Sequence, residues 1–145
     1  MIVRFTRLNP THHRFEAIRS DGSRELRELE TRSLLTHDLV HFALESEAGL
    51  AHGFFGSLAR GASYETEAAF EVEYVVGPLQ SALKGEPDPA TLFERFRTMR
   101  ESIGASVPAW LNADVIARTI ARFRQLEGQW RATPFGETMA LRFEI

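Results

Sequence analysis

The sequence of 145 residues contains no cysteine. This absence excludes a disulfide scaffold, a thiol nucleophile and every zinc site that is built on cysteine ligands. Any bound metal ion must therefore be held by histidine, aspartate or glutamate side chains. Long apolar runs are also missing, so no membrane-spanning helix is expected. The segment from Met1 to Phe5 lacks the basic region and apolar core of a secretory signal, and we therefore expect a cytoplasmic protein.

Lysine is almost absent, because 16 of the 17 basic residues are arginine. The net charge of −3 disfavours non-specific binding to nucleic-acid phosphates, and no nucleic-acid-binding module is recognisable. The charge is unevenly divided along the chain. Residues 1–34 carry seven arginines against five acids, residues 35–94 two basic residues against ten acids, and residues 95–145 eight arginines against five acids. The basic ends are therefore expected either to fold back on the acidic middle or to meet it across a homodimer.

Both ends of the chain show the alternating pattern of β-strands. Near the N-terminus, alternation around Asp21-Gly22 predicts a hairpin, followed by a third strand at about residues 24–31. Near the C-terminus, residues 129–133 and 139–145 flank a Pro-Phe-Gly turn and are predicted to form a second hairpin. These elements indicate an antiparallel sheet of about five strands.

The middle of the chain has the helical period of apolar residues. We interpret residues 1–145 as a single α+β domain, with four to five helices packed on one face of the sheet. The predicted helices are one from a cap at Thr36 to Ala48 that stops at Gly49, then Leu50 to Arg60, Tyr64 to Leu83 with a kink near Pro78, Ala90 to Ile103, and a last helix capped by Asn112.

Three glycines follow the first predicted helix, at positions 49, 53 and 56. The segment matches neither the phosphate-binding loop, which needs a lysine, nor the nucleophile elbow, which needs a second glycine after the serine. We therefore interpret these glycines as positions where two backbone segments approach closely.

The first predicted helix carries four ionisable side chains: His37, Asp38, His41 and Glu45. At 100° per residue they share a stripe only about 100° wide, whereas apolar residues cover the rest of the helix. Two histidines four residues apart can bind one metal ion because their Cβ atoms are only about 5–6 Å apart. The stripe therefore predicts a divalent-metal or small-ligand site, with zinc as one such metal.

The five consecutive residues from His37 to His41 resemble the H-E-x-x-H motif of zinc metalloproteases. Asp38 stands where that motif has its glutamate, on an arm one methylene shorter. The resemblance implies two metal-binding histidines, and Asp38 is the candidate residue for activating water. Residue order also resembles the HD-type metal-dependent phosphohydrolases, with His13 upstream, His37-Asp38, and Asp114 downstream.

A metal ion held by two histidines needs a third protein ligand. Glu45 lies about 12 Å along the helix axis from His37, so three side chains of one straight helix converge only with difficulty. We nevertheless name Glu45 and His52 with His37 and His41 as candidate metal ligands. The other candidate third ligands are His12, His13, Glu67 and Glu71.

Two interpretations without chemistry remain open for the polar stripe. It is either an ordinary solvent-exposed or interface face, or a buried stripe whose members are hydrogen-bonded to one another. The alternative function is a non-enzymatic, homo-oligomeric interaction module in which acidic and arginine-rich surfaces meet.

Overall fold

The computed structural model describes residues 1–145 and shows an α+β fold. Four antiparallel strands form one sheet, in the order β3 (Arg24–Glu30), β2 (His12–Ile18), β1 (Ile2–Arg7) and β4 (Thr138–Arg142). Five helices lie between the third and fourth strands along the chain. No helix combines the length and the apolar character that crossing a membrane requires. The elements are β1 (Ile2–Arg7), β2 (His12–Ile18), β3 (Arg24–Glu30), α1 (Thr31–Ala48), α2 (Phe54–Ala59), α3 (Phe70–Ala82), α4 (Pro89–Glu101), α5 (Ala113–Arg131) and β4 (Thr138–Arg142).

The sheet has four strands where the sequence predicts about five. Residues 129–133 are predicted as the first strand of a C-terminal hairpin, but residues 129–131 are the end of α5 and residues 132–133 form the turn after it. The ring of Trp130 is buried there, stacked edge-on against His13. Burial of this large side chain explains why the chain stays helical up to Arg131. Strand β4 therefore has no hairpin partner before it in the chain and pairs with β1.

One face of the sheet is covered by the helices and the other is open. Phe5 of β1 and Phe15 of β2 are fully buried and contact each other edge-to-face at 5.6 Å. Phe15 also packs on Phe54 and Phe55 of α2. Alternate residues of each strand are accessible, as expected for a sheet that is covered on one side. This confirms the prediction that the helical middle packs on one face.

Helix α1 begins earlier than predicted. It starts at Thr31 with Glu30 as its N-cap, rather than at a cap on Thr36. The end is as predicted, because Gly49 adopts a left-handed conformation with φ of 66°. Every residue from 38 to 45 is buried, so two full turns of α1 lie inside the protein. The helix is therefore a central element of the core.

The third helix is shorter than the predicted span from Tyr64 to Leu83. Residues 64–69 form a turn and an irregular segment, and α3 begins only at Phe70. The Tyr64 ring is packed against Phe15 and Phe54, at 5.0 and 5.2 Å between ring centroids. This tertiary packing holds the segment 64–69 beside α1, where it forms one wall of a cavity.

Candidate metal centre

The polar stripe of α1 is buried rather than exposed. Asp38, His41 and Glu45 are at most 3% exposed, and only His37 is partly accessible. Helix α3 and the residues between 53 and 68 cover the stripe. A buried polar group must find partners, because an unpaired one costs several kcal/mol. The partners of these four side chains define the site.

Three side chains bring metal-ligating atoms together: His37, His41 and Glu73. Their ligand atoms all lie within 4.8 Å of one another. The two Glu73 oxygens face the two imidazoles, with Oε1 2.9 Å from Nε2 of His41 and Oε2 3.7 Å from Nε2 of His37. Ligand atoms around a tetrahedral zinc ion are about 3.4 Å apart, given bonds of about 2.0–2.1 Å. The two contacts of Glu73, one from each of its oxygens, are of similar length to that value.

Both imidazoles are oriented by a hydrogen bond on the ring nitrogen that faces away from Glu73. The Nδ1 atom of His41 lies 3.0 Å from Oε2 of Glu45, and Nδ1 of His37 lies 2.9 Å from Oε1 of Gln80. Both oxygens are acceptors, so each Nδ1 carries the hydrogen. Metal-binding histidines are commonly held in this way, with the second nitrogen bonded to a carboxylate or carbonyl oxygen.

The charge state of His41 is set by two opposing effects. Burial disfavours the imidazolium, but hydrogen bonds to Glu45 and Glu73 outweigh it and raise the pKa of His41 to about 9. The same contact with His41 lowers the pKa of Glu73. Without a metal ion, His41 is therefore a cation between two carboxylates at neutral pH. A divalent cation can replace the proton that Nε2 shares with Glu73, because it satisfies the same lone pairs.

Glu45 is not brought to the ligand atoms, in contrast to its place among the candidate metal ligands from sequence. Its carboxylate is fully buried and accepts hydrogen bonds from the backbone amides of Phe54, at 2.8 Å, and Gly56, at 3.0 Å. Together with the His41 contact, these bonds use both oxygens. The reason is the rise of the helix, which places Glu45 beside the start of α2. Glu45 therefore positions His41 and the N-terminal turn of α2.

The carboxylate of Glu45 also explains one of the three glycines. A Cβ atom at Gly53 would overlap that carboxylate, and one at Gly56 would overlap the backbone of Ala51. The interpretation of the three glycines as close approaches of two backbone segments is therefore confirmed at Gly56 only, because Gly53 lies against a side chain and Gly49 has open space around it.

His52 belongs to a different cluster. Its Nε2 lies 2.6 Å from Oε1 of Glu71, and the same oxygen accepts a hydrogen bond from the indole of Trp110 at 3.1 Å. These two bonds lower the pKa of Glu71, Trp110 having the larger effect. The pair of His52 and Glu71 has no third ligand, because the only group of three metal-ligating residues is the one with Glu73. Two of the candidate third ligands, His52 and Glu71, thus pair with each other.

Asp38 lies beside the ligand atoms on the same helix. Its Oδ2 accepts a hydrogen bond from the hydroxyl of Tyr64 at 2.9 Å. Burial raises the pKa of Asp38 to about 7, although the bond from Tyr64 and the charge of His41 act in the opposite direction. A carboxyl group with a pKa near neutrality is suited to accept and return a proton.

A cavity of about 180 Å³ connects these groups to solvent. It lies between α1, α3 and the irregular segment 64–69. His37 and Glu73 reach it with more than a third of each side chain exposed, whereas His41 forms its inner wall. The cavity is lined by Leu34, His37, Asp38, His41, Phe54, Tyr64, Glu65, Thr66, Glu67, Ala68 and Glu73.

The residues that resemble the HD-type arrangement are not brought together. His13 lies in β2, where its Nδ1 is 2.9 Å from Oγ1 of Thr31 and its ring packs on Phe5 and Trp130. Asp114 lies in the first turn of α5 and pairs with Arg118. Neither joins His37 in the group of metal-ligating residues.

The sequence did not lead us to name Glu73, Gln80 or Tyr64 among the residues of this site. Glu73 and Gln80 are seven residues apart, so they share one face of α3, just as His37 and His41 share one face of α1. Polar residues at helical spacing on both α1 and α3 are a sequence signal from which the packing of these two helices on each other could have been inferred.

Comparisons with protein-family models, with curated proteins and with solved structures found no match to this chain.

Proposed function

We propose that the protein binds one divalent metal ion, with zinc as the best fit, through His37, His41 and Glu73. The observation that carries the proposal is the convergence of these three ligand atoms within 4.8 Å, with Nδ1 of each imidazole bonded to an acceptor. Two histidines and one glutamate are a recurrent ligand set of catalytic zinc sites, which keep a fourth position for water or substrate.

We further propose a hydrolytic role, with Asp38 as the general base. Zinc in such a site supplies an activated water, because it lowers the pKa of that water to about 7. Asp38 lines the same cavity and is held by Tyr64 through one oxygen only. It is therefore placed to take a proton from water in the cavity and to pass it to a leaving group.

Isothermal titration of the metal-free protein with zinc tests metal binding. We expect one zinc per chain, and a loss of at least about tenfold in affinity for His37→Ala and for Glu73→Gln. His37 and Glu73 are partly exposed, so both variants should fold, which circular dichroism checks. Replacement of His52 by asparagine is the matched control, because His52 also pairs with a glutamate of α3 but has no third ligand nearby.

The titration has a clear negative outcome. Absence of zinc, manganese and nickel binding by the parent protein removes the proposed function. Equal zinc affinity of the His37→Ala variant and the parent places the metal elsewhere and has the same consequence.

Hydrolysis of 4-nitrophenyl acetate by the zinc-loaded protein tests the catalytic role. We expect a zinc-dependent rate that falls about 100-fold in Asp38→Asn while zinc affinity stays within about threefold. A rate that is unchanged in Asp38→Asn contradicts the assignment of Asp38 as general base.

The homo-oligomeric interaction module is the second candidate function. This hypothesis is based on the acidic middle of the chain between its two basic ends. Several arginines of these basic ends already have partners within the same chain. Arg118 contacts Glu47, Arg27 contacts Glu65, and Arg124 donates to the carbonyls that follow α3. Static light scattering across a salt series distinguishes the two candidates, because a dimer that dissociates as salt rises supports the module.

A further inference from the structure

A second concavity adjoins the cavity of the candidate metal centre. It has a volume of about 470 Å³ and is lined by Glu67, Ala68, Phe70 and Glu73. Three of these residues, Glu67, Ala68 and Glu73, also line the first cavity. The two spaces therefore lie side by side, and we refer to them together as the trough, which runs past the accessible edge of His37 and Glu73.

Apart from His41, which is enclosed between Glu45 and Glu73 on the inner wall, the charged side chains along the trough are acidic. No lysine or arginine lines either part of it, whereas Asp38, Glu65, Glu67 and Glu73 do. Glu65 is neutralised by Arg27, whose Nε and Nη2 lie 2.7 and 2.9 Å from its two oxygens. Glu67 is exposed and has no hydrogen bond or ion pair within the protein. Its charge is therefore free to meet a ligand.

An exposed aromatic ring lies in the same trough. Phe70 is 73% exposed, the highest value among the large hydrophobic side chains that remain exposed. Its one aromatic neighbour is Tyr74, one turn further along α3 and 6.1 Å away between centroids. An accessible aromatic face beside an unpaired carboxylate favours an organic cation, which gains from both.

Asp38 offers a further acceptor at the inner end of the trough. The residue is 3% exposed, and its Oδ2 is bonded to Tyr64. Its other oxygen, Oδ1, accepts no hydrogen bond from the protein and is not among the fully enclosed polar atoms without a partner. This oxygen therefore faces the cavity, where a buried and unpartnered acceptor calls for a donor from a ligand.

We propose that the ligand or substrate of this site is a small organic cation, with an amidinium, guanidinium or ammonium group that lies between Glu67 and Phe70. The inference rests on the proposed function in so far as it places the rest of that molecule beside His37, His41 and Glu73. Phosphorylated and carboxylated compounds are disfavoured at this outer part of the trough, because no lysine or arginine lines it and Glu67 repels them.

Three ligands of nearly equal shape test the proposal: benzamidinium, benzamide and benzoate. Titration of the metal-free protein by NMR should show benzamidinium binding at least about fivefold more tightly than benzamide, with benzoate weakest. Metal-free protein is used because an open zinc position would itself bind the carboxylate of benzoate. The Glu67→Gln variant should remove that preference, and Phe70→Ala should weaken benzamidinium about threefold. Neither variant should alter zinc affinity, because neither residue is a ligand.

Two control variants carry similar changes elsewhere on the surface. Glu28 is exposed on the open face of the sheet and Ile103 is an exposed apolar residue after α4, so Glu28→Gln and Ile103→Ala should bind benzamidinium as the parent does. Tighter binding of benzoate than of benzamidinium overturns the proposal, as does an unchanged preference in Glu67→Gln.

These titrations and the zinc titration of the parent protein separate this inference from the proposed function. Absence of zinc binding together with a preference for benzamidinium that Glu67→Gln abolishes overturns the metal site and supports the cation site. Zinc binding without any preference for the cation supports the metal site and overturns the present inference.

Discussion

The carboxylate of Glu45 lies 3.0 Å from Nδ1 of His41, and the side chains of both residues are at most 1% exposed. The same carboxylate accepts hydrogen bonds from the backbone amides of Phe54 and Gly56. One buried group thus orients a candidate metal ligand and fastens the start of α2 to α1.

Replacement of Glu45 by glutamine should weaken both roles. A glutamine has one acceptor oxygen, and its NH₂ group must face a donor. We expect a loss of about 3 kcal/mol in the free energy of unfolding, because a buried ionic contact is broken, and zinc affinity lower by about 10-fold to 100-fold. Urea denaturation and zinc titration measure the two effects. Glu47→Gln on the same helix, where the glutamate pairs with Arg118 at the surface, should cost less than about 1 kcal/mol.

Replacement of Gly53 by alanine should be destabilising, although alanine is ordinarily a mild substitution. The added Cβ overlaps the Glu45 carboxylate, which cannot move without losing its three hydrogen bonds. We expect a cost of about 1–3 kcal/mol by urea denaturation. Gly128→Ala is the control, since Gly128 lies within α5 with open space around it, and alanine there should stabilise by about 0.5–1 kcal/mol. Equal stability of the two variants would contradict the packing described for Glu45.

The acid side of the stability curve should depend on His13. Burial is the main cause that lowers the pKa of His13 to about 4, and the charge of His12 adds to it. The folded state therefore binds fewer protons than the unfolded state between about pH 6.5 and pH 4, so stability falls as pH decreases through this range. The contribution is about 3 kcal/mol at pH 4 relative to neutral pH.

Replacement of His13 by leucine should flatten that acid limb, because the group that takes up the proton on unfolding is gone. Urea denaturation at pH 7, 5.5 and 4.5 measures it, and the variant should gain on the parent at each lower pH. His12→Gln, at the more accessible neighbouring position, should flatten the acid limb much less, because the charge of His12 is the smaller of the two causes that lower the pKa of His13. An equally steep acid limb in His13→Leu would show that other groups determine it.

Zinc binding should release a proton at neutral pH. Because the pKa of His41 is raised to about 9, zinc must displace the proton from its Nε2. Affinity should therefore rise about tenfold per pH unit between pH 6 and pH 8. Calorimetry in two buffers of different ionisation enthalpy counts the released protons. A binding enthalpy that is independent of buffer contradicts the prediction.

The fold class and several helix ends could be predicted from the sequence, whereas the candidate site could be predicted only in part. The end of α1 at Gly49 and the cap of α5 at Asn112 are local signals, because each depends on one residue and its nearest backbone. The α+β class follows from the change of period along the chain. The polar stripe on α1 depends only on residue spacing within one helix, so it too could be predicted.

The helix that covers that stripe could not be predicted from the sequence. Glu73 completes the ligand set because α3 packs on α1, and this pairing depends on the whole core. The same applies to Tyr64, whose helical spacing is overridden by its packing on Phe15 and Phe54. The predicted strand at residues 129–133 is lost to a comparable tertiary effect, the burial of Trp130.

The pairing of β1 with both β2 and β4 also has a consequence for the order of folding. β2 and β3 follow β1 closely in the chain, so three strands can assemble from local contacts. The second edge of β1 must wait for Thr138–Arg142, after five helices have been synthesised. During that interval the edge is an unpaired strand able to recruit another chain, so aggregation of partly folded molecules should be concentrated there.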